Sequence, residues 1–195
     1  MAGTADSEKK TVIRNLILNT SPSFSDQRIH YVAQQAYNVY LAVNPDLPPR
    51  AYQIVFEETK RDYMRLLDQI IPVYERYFTL PELRSIAAFY DTEVGRKMIR
   101  VTPQIQQEAA SLQSRGELTT QNISALYEKH FTQDEHQRIM AFNNTEIGRK
   151  LTRVEPQLTE EQNQVTQAWL KKSPGEVQKK IDRRYQKEGI EIIPK

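Results

Sequence analysis

The segments FTLPEL (78–83) and TEVGRK (92–97) return 53 residues later as FTQDEH (131–136) and TEIGRK (145–150). Extended outward, residues 74–105 align with 127–158 without a gap, and 17 of the 32 paired positions are identical. Phe89 answers Phe142 and Pro103 answers Pro156. Such density at one fixed offset marks an internal duplication, and the fold must be built around it.

Each copy reads as a helical hairpin. Thr79 is placed to accept a free amide of a first helical turn, and Glu82 three residues on reaches back to the amide of Thr79, forming a capping box. Thr132 and Glu135 repeat the box. Phe78 and Leu83 complete a hydrophobic staple in copy one, whereas His136 stands at the corresponding position in copy two. Thr92 and Thr145 cap a second helix whose first-turn Glu93 and Glu146 suit the helix dipole. In that helix Val94, Met98, Val101 and Ile105 follow the helical period, matched in phase by Ile147, Leu151, Val154 and Leu158. Gly95 and Gly148 cost helix propensity, so a close backbone approach is expected there. Pro103 and Pro156 are expected to kink or end their helices.

Around the duplication the chain continues as helix. Ile13, Leu16 and Ile17 mark a first helix over 9–18. Ser25 caps a second, and Pro48-Pro49 opens a long third that Pro72 should kink or end. Thr119 or Thr120 caps the helix carrying Ile123, Leu126 and Tyr127. Ser173-Pro174-Gly175 separates two late helices, and residues 190–195 read as extended. Hairpin-turn signals such as Asn-Gly are missing. The expectation is an all-α helical bundle forming one domain over 1–195, with repeat copies at 74–105 and 127–158 and a basic terminal helix at 171–188.

Composition sets the class. An apolar fraction of 38% can build a core, a charged fraction of 27% gives a wettable surface, and the mean hydropathy is −0.68. A net charge of +2 names no partner. No apolar run approaches the ~20 residues that span a bilayer. With no cysteine there is no disulfide framework, no thiol nucleophile and no zinc ribbon. Residues 1–6 carry neither a basic nor an apolar region, so no signal peptide is read there.

Catalytic signals are sparse. Neither a G-x-S-x-G elbow nor a phosphate-binding glycine loop occurs. His130 and His136 flank Glu135 but lack the spacing of a metal-binding HExxH helix, and with His30 they read as ordinary surface histidines. No catalytic residue, metal ligand or cofactor site is assigned. Arg96, Lys97 and Arg100, echoed by Arg149, Lys150 and Arg153, lie near helix amino termini and form a candidate surface for anions or a partner. Glu93 precedes Arg96 and Lys97 in the favourable order for intrahelical ion pairs, which favours a solvated, self-paired face. From 171 to 187 seven basic residues face two acidic ones, a local balance of +5. This helix is read as a soluble accessory that packs weakly.

The copies differ along one ribbon. Leu83, Ala87 and Tyr90 become His136, Met140 and Asn143. The ribbon should be buried in copy one and exposed in copy two, which makes His136, Met140 and Asn143 a candidate binding face.

The FTLPEL start, the Phe89-Tyr90 pair and the TEVGRK helix opening together resemble a bacterial family, the domain of unknown function numbered twenty fifty-nine. The likeness covers the central third of the chain well and its second half more loosely. It departs where the family has Ser-Pro before the glycine, since Thr92-Glu93 stands there. It implies an exported, mostly helical protein of the periplasm, and therefore a mature form in which a start codon replaces the signal. It carries over no catalytic residue. The leading expectation is a non-enzymatic periplasmic interaction or envelope-accessory protein. Its partner would be a protein or an anionic envelope component, with no transmembrane segment. The rivals are a hydrolase using Glu82, Glu135 or His136 between the repeats, and a binder of nucleic acid or anionic surfaces through the terminal helix, of which nucleic acid ranks last.

Overall fold

The computed structural model describes residues 2–192, with side chains from residue 5. Residues 193–195 of the stretch expected to be extended lie outside the described residues. Among those described the chain is all-α, with nine helices and no strand. They are α1 (Ala2–Thr20), α2 (Asp26–Leu41), α3 (Pro49–Tyr77), α4 (Leu80–Tyr90) and α5 (Glu93–Ser114), then α6 (Thr120–His130), α7 (Gln133–Asn143), α8 (Glu146–Leu170) and α9 (Ser173–Glu188). A 3-10 turn over Pro22–Phe24 joins α1 to α2.

The helix boundaries follow local chemistry. Ser25 accepts from the Arg28 amide to cap α2, and Thr119 does the same for Asn122 at the start of α6. Gly116 and Gly189 take positive φ of 71° and 70°, ending α5 and α9 in the left-handed conformation that glycine adopts without strain. Of the two outcomes expected of the prolines, a kink or an end, the second does not occur. Pro72, Pro103 and Pro156 lie inside α3, α5 and α8, and none ends its helix. All three are exposed, so the carbonyl each one frees, four residues earlier, belongs to the wet side of its helix, where water can satisfy it.

Two compact units emerge: residues 1–77 with 157–195, and residues 78–156. In the first unit α3 is the central rod, against which α1, α2 and α9 pack. Its core joins Tyr37 and Tyr40 of α2, Ile54 and Val55 of α3, and Ile181 and Tyr185 of α9. The terminal helix is therefore not a weakly packed accessory. Ile181 is 1% exposed and Tyr185 0%, and the Tyr185 hydroxyl donates to the Ala51 carbonyl at 3.0 Å. Arg184 holds Glu57 at 2.7 Å and Glu58 at 3.0 Å. Counting charge along 171–187 missed this, because the basic residues lie off the narrow stripe of Val177, Ile181 and Tyr185 that carries the packing.

In the second unit α5 packs against α4, α6 and α7. Val94 and Ile105 of α5 meet Phe131 and Ile139, with Phe89, Met98 and Val101 around them. Both capping boxes form, at Thr79/Glu82 and Thr132/Glu135. The glycine expectation also holds, and the approaching backbone is the end of the preceding helix. A Cβ on Gly95 would lie 2.2 Å from the Phe89 carbonyl oxygen, and one on Gly148 2.1 Å from that of Phe142. The same two carbonyls accept from the hydroxyls of Thr92 and Thr145, each at 2.6 Å. Each hairpin corner is thus a Thr-x-x-Gly device that lets two helices meet without a side chain between them.

Candidate interaction surface

The conserved pattern of the duplication is used up inside the second unit. Lys97 of copy one donates to Glu135 of copy two at 2.6 Å, and Lys150 of copy two donates to Glu82 of copy one at 2.7 Å and 2.9 Å. Each carboxylate also accepts its own cap amide, Thr79 at 2.7 Å and Thr132 at 2.8 Å. Each ammonium lies over the staple aromatic of the other copy, Lys97 at 5.5 Å from the Phe131 centroid and Lys150 at 5.6 Å from that of Phe78. Phe89 and Phe142 stack at 3.9 Å between centroids, 6° from parallel. Residue i of one copy meets residue j of the other and the reverse, the relation of a two-fold interface.

Lys97 holds the Glu135 carboxyl below the ordinary range, assisted by the Thr132 amide. For Glu82, burial pushes upward, yet Lys150 and the Thr79 amide together bring the net shift down. The rule of reciprocal pairing recurs further along. In the second unit Lys129 and His130 bind Glu108, at 2.8 Å and 3.2 Å. In the first unit Arg76 and Tyr77, the residues 53 positions earlier, bind Glu161, which lies 53 positions after Glu108.

This geometry divides the candidate basic surface. Lys97 and Lys150 are half-buried and pair across the copies rather than with Glu93 or Glu146 of their own helices. Arg96, Arg100, Arg149 and Arg153 are exposed. The histidines also part company. His30 stacks on Phe56 at 4.1 Å, His130 joins Glu108, and His136 sits edge-on to Tyr127 and Phe131 at 6.1 Å and 6.0 Å. His136 therefore takes up the staple contact with Phe131 that its spacing assigns to an apolar residue. Its Nε2 is buried without a hydrogen-bond partner. Among the described residues no group of three acidic, histidine or cysteine side chains is arranged to hold a metal. An open depression lined by Glu82, Ser85, Phe142, Thr145, Glu146 and Ile147 holds two carboxylates, of which Glu82 is already bound to Lys150.

The ribbon on which the copies disagree has the expected asymmetry of exposure. Leu83 is 0% exposed, and Ala87 and Tyr90 are half-buried. His136 is half-buried, Met140 is 59% exposed and Asn143 is exposed. Met140 has company: Leu118, Ile123 and Tyr127 are 41%, 40% and 37% exposed. Half of the eight exposed large apolar side chains among the described residues thus fall between 118 and 140. Sequence comparison of the copies found His136, Met140 and Asn143. It missed Ile123 and Tyr127, because their copy-one equivalents Ile70 and Tyr74 are equally apolar and differ in cover rather than in residue type.

No helix among the described residues is long and apolar enough to cross a membrane. No curated protein and no solved structure matches the chain. A family profile does match it, twice in tandem, over residues 64–117 and 120–173, each match covering the three helical segments of one copy together with the loops between them. The chain belongs to the DUF2059 family, described as an uncharacterized protein conserved in bacteria.

Proposed function

We propose that the protein works by binding rather than catalysis, as a periplasmic interaction or envelope-accessory module whose contact surface is the α6–α7 face of copy two. The observation that carries this reading is that Leu118, Ile123, Tyr127 and Met140 are all exposed within the one stretch 118–140. Contiguous exposed apolar side chains mark interaction sites. The two glutamates of the rival hydrolase reading, Glu82 and Glu135, are each engaged by a lysine and a cap amide, which leaves them structural work.

The test is site-specific photo-cross-linking in the native host. A photoreactive residue at Met140 should yield a discrete adduct, while one at the exposed Gln106 of α5 yields none. Equal labelling from both positions, or no adduct from either, overturns the binding surface. Fractionation of the full-length gene product tests the compartment: release with the periplasmic fraction is expected, and retention in the cytoplasm rejects it.

A further inference from the structure

The duplication supplies an occupied version of the surface that copy two leaves open. In the first unit α1 runs along α3 with its apolar Ile13, Leu16 and Ile17 buried. Lys9 donates to the Glu75 carbonyl at 2.9 Å, and Arg14 pairs with Asp68. On the same stretch of α3, Ile70 and Ile71 are each 3% exposed. The helix related to this part of α3 by the repeat is α6. Ile70 corresponds to Ile123, Tyr74 to Tyr127, and the Glu75 carbonyl to that of Glu128. No second helix of the α1 kind follows α6 in its unit, and Ile123 rises to 40% exposed.

We infer that the α6–α7 face docks one amphipathic helix of a partner protein, in the manner in which α1 docks on α3. The inference rests on the binding reading above and names the kind of partner. An amphipathic helix is read through apolar anchors at i, i+3 and i+4. That is the spacing of Ile13, Leu16 and Ile17. The Glu128 carbonyl lies in the last turn of α6, where carbonyls lack intrahelical partners and the helix end is negative, so it favours a lysine placed as Lys9 is. Met140 replaces Ala87 at the rim, and a flexible thioether side chain adapts to an incoming surface. The apolar edge is narrower than in copy one, because Leu67 and Ile71 become Thr120 and Ser124. The partner helix therefore carries a polar residue opposite Ser124. The chain's own α1 is engaged on α3, so the occupant comes from elsewhere.

A fluorescein-labelled peptide of residues 5–21, the α1 sequence, titrated against the full chain by anisotropy, tests the inference. Saturable binding is expected, weakened tenfold or more by Ile123→Glu and by Met140→Glu and unchanged by Gln106→Glu on α5. Ser124→Arg, at a position already exposed, gives the same loss without touching an apolar side chain, should either first variant fold poorly. Absence of saturable binding overturns the inference. So does binding that all three face variants leave unchanged, since the peptide would then be displacing α1 from α3. A cross-linked partner at Met140 without peptide binding rejects the helix and keeps the broader binding surface. Loss of both rejects the surface as well.

Discussion

Phe89 and Phe142 are each other's packing partner. Their rings stack at 3.9 Å although 53 residues separate them, each standing one turn beyond a buried isoleucine, Ile86 at 2% and Ile139 at 6% exposed. Both aromatics are only half-buried, so each loses less on truncation than the 3–5 kcal/mol of a fully buried Phe; about 2 kcal/mol apiece is expected for Phe89→Ala and Phe142→Ala. The double variant should fall short of their sum by about 1 kcal/mol, the worth of an aromatic pair beyond area. Denaturant unfolding of the four proteins measures it, and strict additivity would deny that the pair holds the copies together.

Gly95→Ala and Gly148→Ala should each destabilise by about 3 kcal/mol, the upper range for overpacking. The added Cβ lies against a backbone carbonyl, which has no flexible end to yield. Gly175→Ala, where nothing lies within 4 Å of the new atom, is the control and should be neutral or slightly stabilising. Comparable melting temperatures for Gly95→Ala and the parent would refute the close approach.

Removing residues 173–195 should abolish cooperative unfolding of the first unit rather than leave it intact. Ile181 and Tyr185 fill the core against Ala51 and Tyr40, and Ser173 donates to the buried Asp62 carboxylate. Losing only the phenolic hydroxyl, as Tyr185→Phe, leaves the Ala51 carbonyl without its donor and should cost about 1 kcal/mol. Retained helicity per residue and an unchanged melting temperature after truncation would restore the accessory reading.

The fold was legible because the duplication states the same helical period twice. Capping boxes, stripes and the Thr-x-x-Gly corners are local patterns, and each appears where the sequence places it. What pairs with what was not legible. Lys97 lies four residues after Glu93 and reads as its ion-pair partner, yet it reaches Glu135, 38 positions away. A helical spacing defines a neighbourhood, while a two-fold junction selects among neighbours by geometry that no window of sequence contains. The fate of the prolines was open for a related reason: whether a freed carbonyl ends a helix depends on which side meets water. Of the candidate surface, substitutions between copies revealed His136, Met140 and Asn143. Exposure of Ile123 and Tyr127 required coordinates.

The cross-copy pairs give an acid limb with a defined sign. The carboxyl pKa values of Glu82 and Glu135 are lower in the folded protein than the ordinary glutamate value of 4.5. A depressed folded pKa means that the unfolded chain binds more protons, so stability from these groups is complete above the unfolded value and lost as pH falls through the folded one. Melting temperature should therefore decline below about pH 4.5, and the Glu82→Gln/Glu135→Gln variant should show a shallower decline over that window. Parallel profiles for the variant and the parent would remove these two carboxylates as its source.

Restoring the first copy's ribbon in the second separates fold from binding. In His136→Leu the new side chain meets Tyr127 and Phe131, the ring neighbours of the present imidazole, and eliminates a buried Nε2 that has no partner. Relief of an unsatisfied buried group should stabilise by about 1 kcal/mol. Asn143→Tyr places an aromatic at an exposed position, within about 0.5 kcal/mol of neutral for the fold. The pair of changes refills the rim of the face that Met140 shares, so the yield of cross-linked adduct at Met140 should fall several-fold while the melting temperature holds or rises. A variant that melts earlier than the parent contradicts the staple role of His136. One that keeps both its stability and its full adduct yield places the contact surface elsewhere than on α7.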